Sequence, residues 1–187
     1  MTRSFIRRTT SFVAAVVVAA LTTRSAGAQA KALGAPGGFG VGYTDVGPAL
    51  GLGGLGGANM SFGGRLEHGL KSLPQMGNGT LGIEASFDYY SWSAPSYSWK
   101  YIPFGVTANY HFKLDDPKID PFVGAGLGYQ IITCDYAGVG SNLCSNSAVY
   151  FIGRLGARYF FAPKMAAYAD VGAGAATLNV GLMFRMH

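Results

Sequence analysis

Charged side chains in this chain recur within segments where polar and apolar residues alternate. Only 12% of the 187 residues are Asp, Glu, Lys or Arg. The polar phase of these segments carries four acids and four arginines: Arg65, Glu67, Glu84, Asp88, Arg154, Arg158, Asp170 and Arg185. If that phase faces a narrow interior, opposite charges must pair there or keep water, because an isolated buried charge is costly. The planar fork of arginine suits such pairing. We therefore predict a charge network that plugs an internal lumen.

Two cysteines, Cys134 and Cys144, lie in one predicted outer loop, residues 134–147. Two thiols without a neighbouring histidine make a poor metal site, whereas a disulfide is the usual state in an exported chain. We predict a Cys134–Cys144 disulfide, with no metal and no cofactor.

The residues 51–56 match the pattern G-x-G-x-x-G, which in nucleotide-binding proteins precedes a helix. No helix is predicted after this segment, so it cannot present a helix N-terminus to a pyrophosphate. We interpret it as a flexible surface loop.

Catalysis would need a nucleophile, a base and an orienting group that converge in space. The candidates are His68 and His111 as bases beside Ser61, Ser86 or Glu84, and their spacing shows no such convergence. We predict that the protein is not an enzyme.

The elements that would hold these residues are strands. Four segments alternate with period two, which is typical of a strand with two different faces. These four segments cover approximately residues 81–89, 102–113, 123–131 and 149–159. Their apolar phase is unbroken over about the 9 to 11 residues that a tilted strand needs to cross a bilayer.

Four weaker segments complete the set: residues 39–43, 59–67, 165–171 and 178–185. Eight strands is an even number, so both chain ends can lie on one side of a membrane. A closed sheet satisfies every backbone group in hydrocarbon. The sequence thus predicts an all-β fold, an eight-stranded antiparallel up-and-down transmembrane β-barrel preceded by a signal-peptide helix.

The connections divide into two kinds. Residues 69–77, 114–120 and 162–164 carry turn-forming residues and are predicted periplasmic links. Residues 47–57, 93–96, 134–147 and a turn near Gly174 are predicted to face outward. Aromatic residues near the strand ends are predicted to form interfacial girdles; they are Tyr89, Trp92, Trp99, Tyr101, Tyr110, Phe112, Tyr159, Phe160 and Phe161.

The N-terminus has the features of a secretory signal. Three arginines precede an apolar stretch at residues 12–21, and small residues then give two overlapping A-x-A sites. We predict a signal peptide over residues 1–28, cleavage after Ala28 or Ala30, and a barrel over residues 29–187. Cleavage would lower the net charge from +5 to +1, because it removes four of the fourteen basic residues and no acid. A nucleic-acid partner is therefore not expected.

The segment DPKIDPFVGAGLGY, residues 116–129, resembles the turn-and-strand signature of the OmpA/OmpX-like outer-membrane β-barrel family. The resemblance implies a membrane-embedded barrel with variable surface loops, and it implies no single activity.

We therefore expect a non-enzymatic barrel of the Gram-negative outer membrane, with a structural wall and exposed loops, that serves envelope integrity or surface adhesion. It is expected to be exported through the periplasm, to contact outer-membrane lipid as a monomer, and to leave its outer loops available to an extracellular partner. Two alternatives remain open: a narrow, porin-like pore for small solutes, and a soluble lipocalin-like ligand-binding barrel with the same alternation turned inside out.

Overall fold

The computed structural model describes residues 38–136 and 146–186. In this part of the chain eight antiparallel strands close into one barrel, in which each strand pairs with its sequence neighbours and β1 also pairs with β8. The strands are β1 (Thr44–Leu52), β2 (Met60–Leu73), β3 (Gly79–Ala94), β4 (Tyr97–His111), β5 (Ile119–Tyr136), β6 (Asn146–Ala162), β7 (Met165–Ala173) and β8 (Leu178–Arg185). The predicted all-β, eight-stranded up-and-down barrel is confirmed. No helix in the described ranges is long and apolar enough to cross a membrane.

The prediction for the first strand was wrong. It was expected at residues 39–43, with residues 47–57 as an outer loop, but β1 runs from Thr44 to Leu52. Its inward positions Asp45, Ala49 and Gly51 are buried, and Leu50 and Leu52 point outward. The alternation is thus present, but glycine and proline within it made the segment look like a loop.

The other links lie close to the predicted ones, with two corrections. β2 continues to Leu73, and a short 3-10 turn at Pro74–Met76 leads into β3, so most of the predicted link at residues 69–77 is strand or turn. β5 extends to Tyr136, which places Cys134 on a strand rather than in an outer loop. The turn at residues 163–164 and the turn at residues 174–177 lie where they were predicted.

The two faces of the wall differ in chemistry. Large apolar side chains point outward around the barrel, including Phe62, Leu127, Val149, Phe151 and Leu155, each more than half exposed. The inward face carries buried Asp, Glu, Arg, Asn and His. This is the arrangement of a barrel whose outer surface meets lipid, and it is the reverse of a soluble ligand-binding barrel.

The wall is taller on one side. β3 to β6 have 15 to 18 residues, while β7, β8 and β1 have 8 or 9. At the usual rise per residue, the long strands measure about 50 to 60 Å and the short ones about 26 to 30 Å. Since β1 begins and β8 ends where Asp45 pairs with Arg185, we call that end of the barrel the terminal end and the other the loop end. The long strands exceed the short ones at the loop end.

Candidate functional site

The lumen holds two groups of charged side chains. The first, which we call the terminal-end cluster, consists of Asp45, Glu67, Asn109, His111, Asp120, Arg158 and Arg185, all buried. Its centre is Arg158 on β6, whose Nη1 donates to Asp45 Oδ2 at 3.2 Å and whose Nη2 donates to Glu67 Oε2. Because β6 and β2 stand four strands apart in an eight-stranded ring, this guanidinium crosses the full width of the lumen.

Arg185 completes the pairing around Asp45. Its Nε donates to Asp45 Oδ1 at 3.0 Å, and its Nη2 donates to Asp45 Oδ2 at 3.2 Å. Each oxygen of Asp45 therefore receives a bond from Arg185, the two-pronged geometry that makes an arginine–carboxylate pair strong.

His111 bridges two carboxylates within the same cluster. Its Nδ1 lies 3.0 Å from both oxygens of Asp120, and its Nε2 lies 2.9 Å from Glu67 Oε1. An imidazole can donate from both ring nitrogens only as the imidazolium. In that state the cluster holds three positive groups, Arg158, Arg185 and His111, against three carboxylates.

The second group, the loop-end cluster, consists of Arg65, Glu84, Asp88, Arg154, Asp170 and Asn179. Arg65 Nη2 donates to Asp88 Oδ1 at 3.1 Å and to Asn179 Oδ1 at 3.2 Å. Arg154 Nη1 donates to Asp170 Oδ1 at 2.8 Å, and Asn179 Nδ2 donates to the same oxygen at 2.8 Å. Glu84 is more loosely held, since its Oε1 lies 4.0 Å from Arg65 Nε.

An N-terminal strap, residues 38–43, closes the lumen at the terminal end. Phe39 is buried, its ring centroid lies 4.3 Å from that of His111, and the guanidinium of Arg158 lies 4.9 Å above it. The strap is fixed to β2 by backbone bonds from Gly42 N to Gly69 O and from Gly69 N to Tyr43 O. A Cβ at Gly69 would overlap the carbonyl oxygen of Gly40, so only glycine allows this close approach.

A second seal comes from the glycine-rich motif. Residues 53–59 connect β1 to β2, and Leu55 in this loop is 2% exposed, packed with Tyr90 and Ala176. Gly53, Gly54, Gly56 and Gly57 all have positive φ, which lets the loop bend back over the lumen. The G-x-G-x-x-G motif, predicted to be a flexible surface loop, thus ends β1 and turns inward.

All eight residues of the predicted charge network belong to these clusters. Arg65, Glu84, Asp88, Arg154 and Asp170 meet in the loop-end cluster, while Glu67, Arg158 and Arg185 meet in the terminal-end cluster. Sequence reasoning missed Asp45, His111 and Asp120 as network members. Asp45 was hidden by the misplaced first strand, and Asp120 was placed in a turn. His111 stood on the polar phase of its strand, which was the available signal.

The remaining sequence-derived candidates lie elsewhere. Cys134 is buried on β5, and Cys144 lies outside the described residues, so their disulfide stays a prediction. His68 Nδ1 lies 2.8 Å from Thr44 Oγ1. Within the described ranges, no three His, Cys, Asp or Glu side chains are arranged to hold a metal ion. Phe160, predicted to lie in an interfacial girdle, is instead buried with its ring 4.9 Å from the guanidinium of Arg185. The girdle prediction was also wrong for Trp92, Trp99 and Tyr101, which lie on the side of the sheet that continues the lumen.

A comparison with protein families decides the classification. The model of the outer membrane protein beta-barrel domain matches residues 13–181. The chain belongs to this family. Its apolar outer wall and polar lumen are accordingly those of an outer-membrane β-barrel, as the resemblance implied.

Solved structures support the same fold. The N-terminal β-barrel domain of OprF from Pseudomonas aeruginosa is 18% identical, with a TM-score of 0.51, and the match covers 79% of this chain and all of that one. Ail, the attachment invasion locus protein of Yersinia pestis, is 16% identical, with a TM-score of 0.51. The match covers 76% of this chain and 93% of Ail. At such identities the likeness concerns the fold alone. A search of curated proteins found no significant match.

Proposed function

We propose that this outer-membrane β-barrel protein is a closed, non-enzymatic barrel that anchors an extracellular surface and conducts no steady flow of ions or solutes. Its role would then be surface adhesion, supported by a wall that preserves envelope integrity. The observation that carries the proposal is Arg158, which spans the lumen from β6 to acceptors on β1 and β2.

Two seals support the same conclusion. Phe39 lies below Arg158 at the terminal end, and Leu55 is buried at the loop end. A solute would have to displace an aromatic ring, a set of cross-lumen ion pairs and a packed leucine in turn. Moving one partner of a buried ion pair leaves the other charge unpaired, which costs about 3 to 5 kcal/mol.

The outward role is supported by the asymmetry of the wall. β3 to β6 continue past the level where β7 ends, so part of the sheet stands beyond the short strands at the loop end. A barrel that only filled the membrane would need no such extension, because about 9 to 11 residues cross a bilayer.

A narrow pore is the second candidate, and a specific observation favours it. Four buried polar atoms have no hydrogen-bond partner among the described residues: Ser61 Oγ, Asn109 Oδ1, Tyr168 Oη and Arg185 Nη1. Buried polar atoms of this kind commonly bind internal water. A hydrated lumen could pass small ions if its seals opened.

A liposome-swelling assay with arabinose and glucose separates the two candidates. Wild-type protein should give no swelling above protein-free vesicles, and Phe39→Ala and Leu55→Ala, tested singly, should stay closed because the Arg158 pairs remain. Swelling by the wild-type protein at rates that depend on sugar size would contradict the closed barrel.

Targeting and catalysis remain parts of the proposal. The predicted signal peptide, residues 1–28, and both cleavage sites lie outside the described residues, so export through the periplasm is proposed from the sequence. The assignment as a non-enzyme is supported by His111, because buried carboxylates engage both of its ring nitrogens and leave neither free to act as a general base.

A further inference from the structure

The part of the sheet that extends beyond the short strands has a face of its own. β2 pairs with β3 as far as Tyr89, and β7 pairs with β6 as far as Gly153. Beyond these points, residues 90–101 of β3 and β4, 130–135 of β5 and 146–152 of β6 form a sheet with no barrel wall opposite it in the described residues. We call this part the extension.

Aromatic rings cover the side of the extension that continues the lumen. Tyr90 and Tyr101 stack with centroids 4.7 Å apart and planes 9° apart, and Trp99 stacks on Tyr101 at 6.2 Å and 19°. Trp92 contacts Tyr97 edge to face at 5.2 Å. These five rings form an aromatic platform, in which Tyr90 is buried, Trp92, Trp99 and Tyr101 are half-buried, and Tyr97 is exposed.

Contacts on the lumen side hold part of the platform in place. Leu55, Tyr90 and Ala176 form one buried cluster, against which Ala58 and Tyr101 pack, and Gln130 Nε2 donates to Tyr90 Oη at 2.9 Å. These tyrosine rings are thus fixed before any ligand arrives, which lowers the entropy lost on binding.

The platform carries no formal charge in the described part of the chain. The two charged residues of the extension, Lys100 and Asp135, lie on the opposite face and pair with each other at 3.8 Å. A sulfated or phosphorylated ligand would find no counter-charge on the platform, so the electrostatics favour a neutral partner.

We propose that the aromatic platform formed by Tyr90, Trp92, Tyr97, Trp99 and Tyr101 binds a neutral oligosaccharide presented from outside the cell. A pyranose ring has C–H groups on its flat faces and hydroxyls at its edge. Since Tyr90 and Tyr101 stack on each other, the rings left to a sugar are Trp99 at the end of the stack, half-buried Trp92 and exposed Tyr97. Their apolar surfaces can pack on C–H groups, while indole N–H and phenol O–H groups can bond hydroxyls.

The direction of the platform identifies the source of the sugar. The platform continues the inward face of the barrel, so it faces the barrel axis and not the lipid around the wall. Sugars on the head groups of neighbouring lipids would meet the opposite face, which carries Lys100 and Asp135. The partner is therefore a glycan that approaches along the barrel axis.

The chain offers a direct reporter, because Trp92 and Trp99 are its only tryptophans. Full-length mature protein in nanodiscs, free of glucoside and maltoside detergents, is titrated with maltohexaose, cellohexaose, mannohexaose and lacto-N-tetraose while tryptophan emission is recorded. We expect at least one of them to shift the emission with saturation below about 10 mM. Trp99→Ala should weaken that binding at least tenfold, and Trp99→Phe should weaken it less. Lys100→Ala, on the opposite face, should change it less than twofold.

The inference is overturned if none of the four saccharides binds, if binding survives Trp92→Ala together with Trp99→Ala, or if only heparin or purified lipopolysaccharide binds. Heat-dependent gel mobility confirms that each variant is folded. The inference rests on the proposed surface role, but the two can fail separately. Saccharide binding by a barrel that conducts would refute the closed lumen alone, whereas a closed barrel without saccharide binding would refute the platform alone.

Discussion

Arg158 on β6 donates a hydrogen bond to Glu67 on β2, the strand that stands opposite it across the barrel. Glu67 is also bound by Asn109 Nδ2 at 3.0 Å and by His111 Nε2 at 2.9 Å. One carboxylate therefore joins β2, β4 and β6 through side chains alone. The terminal-end cluster therefore holds opposite walls of the barrel together and also blocks the lumen.

Substitution of Arg158 should lower the free energy of unfolding far more than substitution of an exposed cationic residue. Arg158→Ala leaves Asp45 and Glu67 buried without that partner, and should lower the free energy of unfolding by about 3 to 5 kcal/mol. Lys100→Ala is the matched control, because its pair with Asp135 is more than half exposed on both sides and is worth at most about 1 kcal/mol. Urea titration in lipid vesicles measures both. Equal losses would contradict the role of Arg158.

His111 and Glu67 should be energetically coupled. A double-mutant cycle with His111→Leu and Glu67→Gln should give a coupling energy of about 1 to 3 kcal/mol, because the two groups share a buried bond. The pair His68 and Glu84 lies in separate contacts and serves as the reference cycle. A coupling no larger than in that reference would show that the His111 bridge contributes nothing.

The N-terminal strap should depend on Gly69. Gly69→Ala places a Cβ against the backbone of Gly40 and should release residues 39–43, whose amides would then exchange hydrogen faster. Gly64→Ala is the control on the same strand, since its Cβ would meet Gly47 O at 3.7 Å, an ordinary contact. Mass spectrometry of peptides covering residues 39–43 gives the readout. Unchanged exchange in Gly69→Ala would mean that the strap is held by other contacts.

The disulfide prediction is tested by thiol alkylation. Unreduced, denatured protein should show no reactive thiol, and reduction should expose two. Closing a loop of about eleven residues should stabilise the protein by roughly 2.5 to 3 kcal/mol in the chain-entropy model, and less if the barrel already holds the loop ends close. Two reactive thiols before reduction would exclude the Cys134–Cys144 bond.

The mature N-terminus should be Gln29 or Lys31. Intact-mass measurement of protein purified from membranes decides between the two A-x-A sites. A mass that retains residues 12–21 would refute the signal peptide.

Most of the fold followed from side-chain alternation, because a lipid-facing wall and a polar lumen impose period two on every strand. The strong segments at residues 81–89 and 149–159 lie within β3 and β6. β1 was misplaced because two of its inward positions, Ala49 and Gly51, are small residues that carry no polar signal, which left Asp45 without a recognisable alternation around it. Phe39 looked like a strand residue, since a local pattern cannot show that a ring packs on the distant His111.

The members of the charge network could be predicted from the sequence about as well as the fold. The alternation of side chains along each strand indicated which charges face inward. Which acid pairs with which arginine depends on which strands lie opposite one another in the barrel. Arg158 meets Asp45, 113 positions away along the chain, only because the barrel closes between β1 and β8. The aromatic platform could not be predicted from the sequence for the same reason, because it depends on how far β3 to β6 extend beyond the short strands.

Planar-bilayer recording tests the closed lumen most directly. Purified, folded protein that inserts into the bilayer should produce no steady conductance above baseline at neutral pH and moderate salt, because Arg158 and the two seals occupy the path. A steady, ohmic conductance in the wild-type protein, retained after removal of any contaminating porin, would contradict the account.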